Sequence, residues 1–137
     1  MKDPACIFCK IANGDIPSKK IYEDEEFVAI LDLAPATKGH TLVIPKEHYP
    51  DLFAMDEQTA SAAMLRARRV AGLLKEKLSP DGMNMTQNNG EVAGQTVLHY
   101  HIHLIPRYLS DPEHINWKPA PAEPEVLQSV FSEITGG

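Results

Sequence analysis

The chain has 137 residues and a formal net charge of −6, with 43% of its residues hydrophobic and 23% charged. Those proportions exclude a disordered or collagen-like polymer and fit a single domain large enough to bury a core without disulfides. The acidic balance excludes the basic face needed to hold duplex nucleic acid, but it leaves room for a pocket that takes one nucleotide.

No apolar run reaches the length of about 18 residues that a membrane span needs. Met1-Lys2-Asp3-Pro4 is not followed by the apolar stretch of a secretory signal, so the cytoplasm is the expected compartment. In that reducing setting Cys6 and Cys9, at C-x-x-C spacing, read as metal-binding or redox-active before they read as a structural disulfide. Asn13 to Pro17 is a turn cluster that closes the short N-terminal segment. Ile21-Tyr22-Glu23 and Phe27 to Leu31 read as strands around the acidic turn Asp24-Glu25. A loop from Asp32 to Gly39 leads into a strand from His40 to Ile44. Asp56 is the expected N-cap of the longest helix. Ala60, Ala63, Met64, Ala67, Val70, Ala71, Leu74 and Leu78 form its buried stripe, and Ser79-Pro80-Asp81-Gly82 stops it. Met83 to Gln87 and Leu98 to Ile105 supply the last two strands, joined by the loop Asn88 to Gly94. Beyond the domain, 1–110, lies a tail, 111–137. There Pro119, Pro121 and Pro124 make an extended linker before a short amphipathic helix whose stripe is Val126, Leu127, Val130, Phe131 and Ile134. That stripe is expected to dock on the body or on a partner. Five antiparallel strands with one long helix inserted make an α+β domain.

The segment richest in chemistry is His99-Tyr100-His101-Ile102-His103-Leu104-Ile105. On a strand, alternation puts Tyr100, Ile102 and Leu104 on a core face and three imidazoles in a row on the other, about 7 Å apart. Imidazole serves as nucleophile, acid or ligand near neutral pH, so the row is either a metal site or a catalytic row. Gly94-Gln95-Thr96-Val97 runs straight into it with a flexible glycine, an amide and a hydroxyl, neutral donors suited to a phosphate.

These residues resemble the histidine-triad (HIT) family of nucleotide hydrolases and transferases. The resemblance is carried by the H-φ-H-φ-H-φ-φ run at 99–105, its Gly94 to Val97 lead-in, Asp32-Leu33-Ala34-Pro35, and Gly39 to His48, and it covers about Cys6 to Arg107. Within the family the chain looks most like the bacterial, HINT-like members with an N-terminal C-x-x-C. The resemblance implies a five-stranded antiparallel sheet and a hydrolase of purine nucleoside 5′-phosphoramidates and related nucleotidyl compounds. His101 would form a covalent nucleotidyl-histidine intermediate, His103 would stabilise charge or protonate the leaving group, and His40 would orient the row. Gln95 and Thr96 would hold phosphate oxygens, Asp32 the ribose hydroxyls, and Phe8, Ile11, Ile30 and Leu33 the base. Asn88 falls where HINT-like members carry Asn and dinucleoside polyphosphate hydrolases carry Gln. The resemblance also implies a structural zinc on Cys6, Cys9, His48 and His99, a closed Cys2His2 set with no open position. It further implies a homodimer paired through the long helix and an adjacent strand, with Ala60, Ala63, Ala67 and Ala71 allowing close approach. Two other readings stand beside this one: a dinucleoside polyphosphate hydrolase, and a zinc-stabilised nucleotide-binding adaptor with vestigial catalysis. A thiol oxidoreductase on Cys6 and Cys9 lacks the surrounding βαβ pattern.

Overall fold

A computed structural model describes residues 2–111 and 119–136. Five strands form one antiparallel sheet: β1 (Lys20–Glu23), β2 (Phe27–Leu31), β3 (Thr41–Pro45), β4 (Gly82–Gln87) and β5 (Ile102–Arg107), in the order β1-β2-β3-β5-β4. The α+β expectation matches this sheet and its three helices, α1 (Ile7–Ala12), α2 (Glu57–Leu78) and α3 (Pro124–Thr135). None of the helices among the described residues is long and apolar enough to cross a membrane.

The sheet is covered on both faces, which explains why β2 and β3 read as continuous apolar runs rather than alternating ones. Phe27, Ala29, Val43, Ile102 and Leu104 pack under Ala63, Ala67, Val70 and Leu74 of α2. Val28, Ile30, Leu42 and Ile44 face the other way and are covered by Phe8, Ile11 and Ala12 of α1. His103 of the histidine motif enters on this second face, because it stands directly opposite Leu42 in the β3–β5 register.

Asp56 caps α2 as expected, accepting from the Thr59 amide. The helix stripe needs one correction: Met64 is 52% exposed, because the sheet is met by Ala63, Ala67, Val70 and Leu74 and Met64 stands to one side of that line. Ala63 and Ala67 are fully buried against the chain's own sheet, so they are not available to a second helix. At the β1–β2 turn, burial opposes the charge on Asp24. Hydrogen bonds from the Tyr22 hydroxyl, Arg66 and the amides of Glu26 and Phe27 nevertheless hold its carboxyl well below the usual range. Arg66, reaching from α2 to Asp24 and lying over the Phe27 ring, ties helix to turn.

Two further expectations change. The last strand begins at Ile102 rather than Leu98, since the amide of Tyr100 bonds to the Tyr49 carbonyl and leaves the β3 ladder. On α3 the apolar stripe forms, but Val126, Leu127, Val130, Phe131 and Ile134 are all exposed in the single chain, so no docking on the body is seen. The tail residues Asn116-Trp117-Lys118 lie outside the described residues.

Gly39 sits at φ +90°, one residue before His40, and a Cβ there would run into Leu78 at the end of α2. Gly39→Ala is therefore expected to lower the unfolding free energy by about 1–3 kcal/mol in urea titrations. Gly72, exposed in the middle of α2 with open space around it, should respond in the opposite sense. Gly72→Ala is expected to stabilise by about 0.5–1 kcal/mol in the same measurement.

Candidate functional site

The histidines occupy two adjoining clusters rather than one row. His103 lies on β5, whereas His99 and His101 lie on its irregular lead-in, so the regular spacing expected of a strand face is lost. His101 and His103 stay together, ring centroids 4.9 Å apart, and His40 joins them 5.2 Å from His103. His99 turns away toward α1.

Hydrogen bonds assign the proton on each ring. A neutral imidazole has one N–H and one lone pair, so a partner at either nitrogen fixes the other. The Ala36 amide donates to Nδ1 of His40, which puts the His40 proton on Nε2. That Nε2–H lies 2.9 Å from Nδ1 of His103 and 3.5 Å from Asp32, so it is given to His103. The proton of His103 is then on its Nε2. Nδ1 of His101 donates to the His99 carbonyl at 2.7 Å, leaving its Nε2 with a free lone pair. The buried ring of His101 thus carries a nucleophilic nitrogen in a defined tautomer.

Electrostatics keep the set neutral. Burial lowers His40 and His101, and burial with the neighbouring His101 and His40 pushes His103 down to about 4. Asp32 lies beside this set, 3.5 Å from His40, with its own carboxylate turning the loop through the Ala34 amide.

The second cluster gathers Cys6, Cys9, His48 and His99, one ligand atom from each lying within 4.8 Å of all the others. Cys6 caps α1 and Cys9 lies one turn on, so the C-x-x-C spacing turns both sulfurs to one side. Nε2–H of His99 donates to the Pro45 carbonyl at 2.8 Å, so its Nδ1 lone pair faces the sulfurs. Nδ1 of His99 lies 3.2 Å from Cys6 Sγ, 3.5 Å from Cys9 Sγ and 3.2 Å from Nδ1 of His48, and the Cys9–His48 separation is 3.4 Å. Tetrahedral zinc, with bonds of about 2.0–2.3 Å, separates its ligand atoms by roughly 3.3–3.8 Å. The four residues therefore fit zinc in spacing and donor type, and His99 also in tautomer. Burial raises the Cys9 thiol, and a cation would act in the opposite sense, since coordination strips a thiol of its proton.

The loop before the triad departs from expectation at Gln95. Its side chain is buried and spent within the loop: Nε2 donates to the carbonyls of Pro50 and Val97, and Oε1 accepts from the Gly90 amide. That side chain organises the loop and is not turned to a ligand, because a buried amide must satisfy itself locally. Thr96 is exposed and lines a cleft with Cys6, His48 and Leu98. Gln87 and Asn89 bond to each other, whereas Asn88 lies against Gly94. Of the four apolar positions, Phe8, Ile11 and Ile30 are core residues of the α1 face, with Phe8 edge-on to His101 at 5.0 Å. Leu33 is 92% exposed. The groups that sequence reasoning missed are main-chain ones: the Ala36 amide and the carbonyls of Pro45 and His99. No residue-type signal marks them, because every residue carries the same backbone. Thr37, whose hydroxyl bonds the Pro106 carbonyl and pins the loop holding Ala36, was equally silent.

Neutral burial has a stability consequence. His103 is lowered from an ordinary imidazole value near 6.5, so below that pH the unfolded chain binds its proton first. The contribution is fully present above about pH 6.5 and is lost as the pH falls toward 4. His103→Gln is expected to flatten the decline of the urea midpoint across this window, and an unchanged slope would contradict the assignment.

The HIT-domain family model matches residues 13–110. The chain is 46% identical to "Protein hit" of Bacillus subtilis over 132 residues, 94% of this chain and 91% of that protein. It is 37% identical to the adenosine 5′-monophosphoramidase hnt1 of Schizosaccharomyces pombe, covering 96% of each. Among solved structures, one from Streptococcus mutans has 43% identity and a TM-score of 0.93, covering 98% of this chain and 86% of its own. A zinc-bound histidine-triad protein from Mycobacterium smegmatis has 38% identity and a TM-score of 0.76, covering 96% of each chain. With likeness of that breadth surrounding the motif histidines, the chain belongs to the histidine-triad family.

Proposed function

We propose that the protein hydrolyses purine nucleoside 5′-phosphoramidates and related nucleotidyl compounds, with His101 as the nucleophile. One observation carries this reading: the buried His101 ring gives its only proton to the His99 carbonyl and keeps the Nε2 lone pair free beside His103. A neutral nitrogen so placed attacks the α-phosphorus, the bond to the leaving group breaks, and that group takes up a proton. His103, whose own N–H is at Nε2, stabilises the charge that builds on the phosphate or protonates the leaving group. Water then attacks the phosphorus, the histidine–phosphorus bond breaks, and the nucleoside monophosphate leaves. Asp32 accepts from the ribose hydroxyls, as a carboxylate can take both, and Phe8, Ile11, Ile30 and Leu33 border the base. Thr96 and the amides of its loop hold phosphate oxygens, with Gln95 as the loop's internal brace. Asn88 favours the phosphoramidate branch, since the neighbouring Gln87 is already committed to Asn89. The identity shared with a named adenosine 5′-monophosphoramidase supports the same branch.

In this reading Cys6, Cys9, His48 and His99 hold a structural zinc, which the reducing cytoplasm would preserve by keeping the thiols free. Bound there, zinc would supply cross-linking of α1 to the lead-in of β5 and no Lewis acidity to substrate, because four protein ligands close the site.

The decisive test is His101→Ala. Turnover should fall by about a thousandfold or more, some 4 kcal/mol of barrier, while nucleoside monophosphate still binds through Asp32 and the phosphate loop. His103→Ala should cost less, on the order of a hundredfold, as befits a positioned auxiliary group. Comparing kcat/KM for adenosine and guanosine phosphoramidates with that for dinucleoside polyphosphates decides the substrate class. Faster cleavage of the dinucleotides would replace this reading with the polyphosphate one, and absence of any single turnover would leave a binding adaptor.

We also propose a homodimer, through a face other than the alanine stripe first expected. Edge strand β4 has one unpaired ladder and leaves Met85 about half exposed, and α2 leaves Met64 about half exposed. Light scattering at micromolar concentration should give twice the chain mass, and Met64→Glu with Met85→Glu should return it to one.

A further inference from the structure

The two histidine clusters meet at one main-chain carbonyl and one aromatic ring, and from that meeting we infer that the Cys6–Cys9–His48–His99 cluster positions the nucleophile, acting through the His99 carbonyl and the Phe8 ring. The inference rests on the reading of His101 as nucleophile and goes beyond it by giving a closed metal set a part in catalysis.

His101 has few neighbours that fix its ring. Its one hydrogen bond among the described residues runs from Nδ1 to the His99 carbonyl. Its principal ring contacts are His103 and the edge-on Phe8, whose planes meet the His101 ring at 61° and 84°. His99 belongs to the cluster, and Phe8, packed on β2 and β3, lies between its two cysteines. The ring of His99 is fixed at both nitrogens, Nε2–H on Pro45 and Nδ1 among the sulfurs, which pins the peptide that His101 reads. Phe8 stands between Cys6 and Cys9 on a helix of six residues and also touches the His99 ring, 5.9 Å between centroids. A helix so short does not hold itself together and depends on what anchors it.

Releasing the cluster therefore loosens both constraints on His101 at once, leaving the His99 ring only its Pro45 bond and Phe8 only its core packing. Without the carbonyl in place, no other acceptor among the described residues holds an Nδ1–H proton, and the tautomer with Nε2–H, which has no lone pair at Nε2 to attack phosphorus, becomes accessible. A plain staple differs in its consequence: its loss lowers stability but leaves His101 in one tautomer. If the cluster positions His101, then a ligand that needs His101 in place must tighten metal binding, and the metal must tighten that ligand by the same factor.

The experiment uses the full chain with 15N-labelled histidine, zinc-loaded and then treated with chelator. Long-range proton–nitrogen correlation should show His101 as a single Nδ1–H tautomer with zinc, and as a mixture without it while the amide dispersion of β2 and β3 persists. Competition with a chromophoric chelator should show zinc held about fivefold tighter, or more, in saturating adenosine 5′-monophosphate. Phe8→Leu keeps all four ligands and should still bind one zinc per chain. In it the His101 signals should show mixed tautomers, the linkage should fall toward unity, and kcat should drop; this variant decides the matter if chelation unfolds the chain. A single Nδ1–H tautomer in all folded states, a linkage of one in the parent protein, or a chain that holds no zinc would each overturn the inference. Should the nucleotide fail to bind at all, the proposed function fails on its own, and the tautomer of His101 still decides this inference.

Discussion

A neutral imidazole has one proton to give, and the arrangement of this protein's motif follows from where each ring spends it. His99 gives its proton to Pro45, His101 to His99, and His40 to His103. Each gift leaves one lone pair with a defined outlook: toward the sulfurs for His99, into the pocket for His101, onto the Ala36 amide for His40. Burial enforces the scheme by holding the rings below the ordinary imidazole range, so that they enter neutral pH uncharged. A charged ring would donate from both nitrogens and lose the lone pair that makes the position useful.

The rest of the fold serves this constraint. A sheet covered on both faces has room for imidazoles on one face only if the other supplies a core, and α2 over Phe27, Val43 and Leu104 does so. That frees β5 to place His103 opposite Leu42 on the α1 side, where the cover is α1 with Cys6 at its start. Bending the chain at 97–99 takes His99 out of the ladder and turns one motif into two clusters. Side-chain and main-chain bonds to Pro45 and Tyr49 replace the strand pairing that this bend gives up, so the lead-in stays satisfied without being a strand.

Much of this was legible in the sequence. The five strands along the chain, the Asp56 cap and the core face of Tyr100, Ile102 and Leu104 all follow from periodicity and turn chemistry, because burial selects the same apolar residues at the same spacing everywhere; their order in the sheet does not. The C-x-x-C spacing marks Cys6 and Cys9, the family resemblance adds His48 and His99, and the geometry gathers those four together. What stayed hidden has a common physical origin. Period-two alternation cannot tell a strand from an extended lead-in, so Leu98 to His101 read as ladder. A stripe of alanines does not say which helix face wins the sheet, so Ala63 and Ala67 seemed available to a partner and Met64 seemed buried. An amide such as Gln95 satisfies a phosphate or a neighbouring carbonyl equally well, and only the folded loop decides between them.

The same ambiguity explains why the two clusters stand beside each other on one short segment. A metal ligand must be rigid in its side chain, whereas a nucleophile must be rigid in its tautomer while keeping one nitrogen unengaged. Residues two apart across the bend at 97–99 meet both demands, since the carbonyl of the first lies within reach of the second ring while the bend turns their side chains apart. His99 is thus anchored through its ring and offers its backbone; His101 is anchored through that backbone and offers its ring. Moving either histidine by one position would reverse the face it occupies and break the carbonyl contact, which makes the alternation in the motif a requirement of proton placement as much as of sheet geometry.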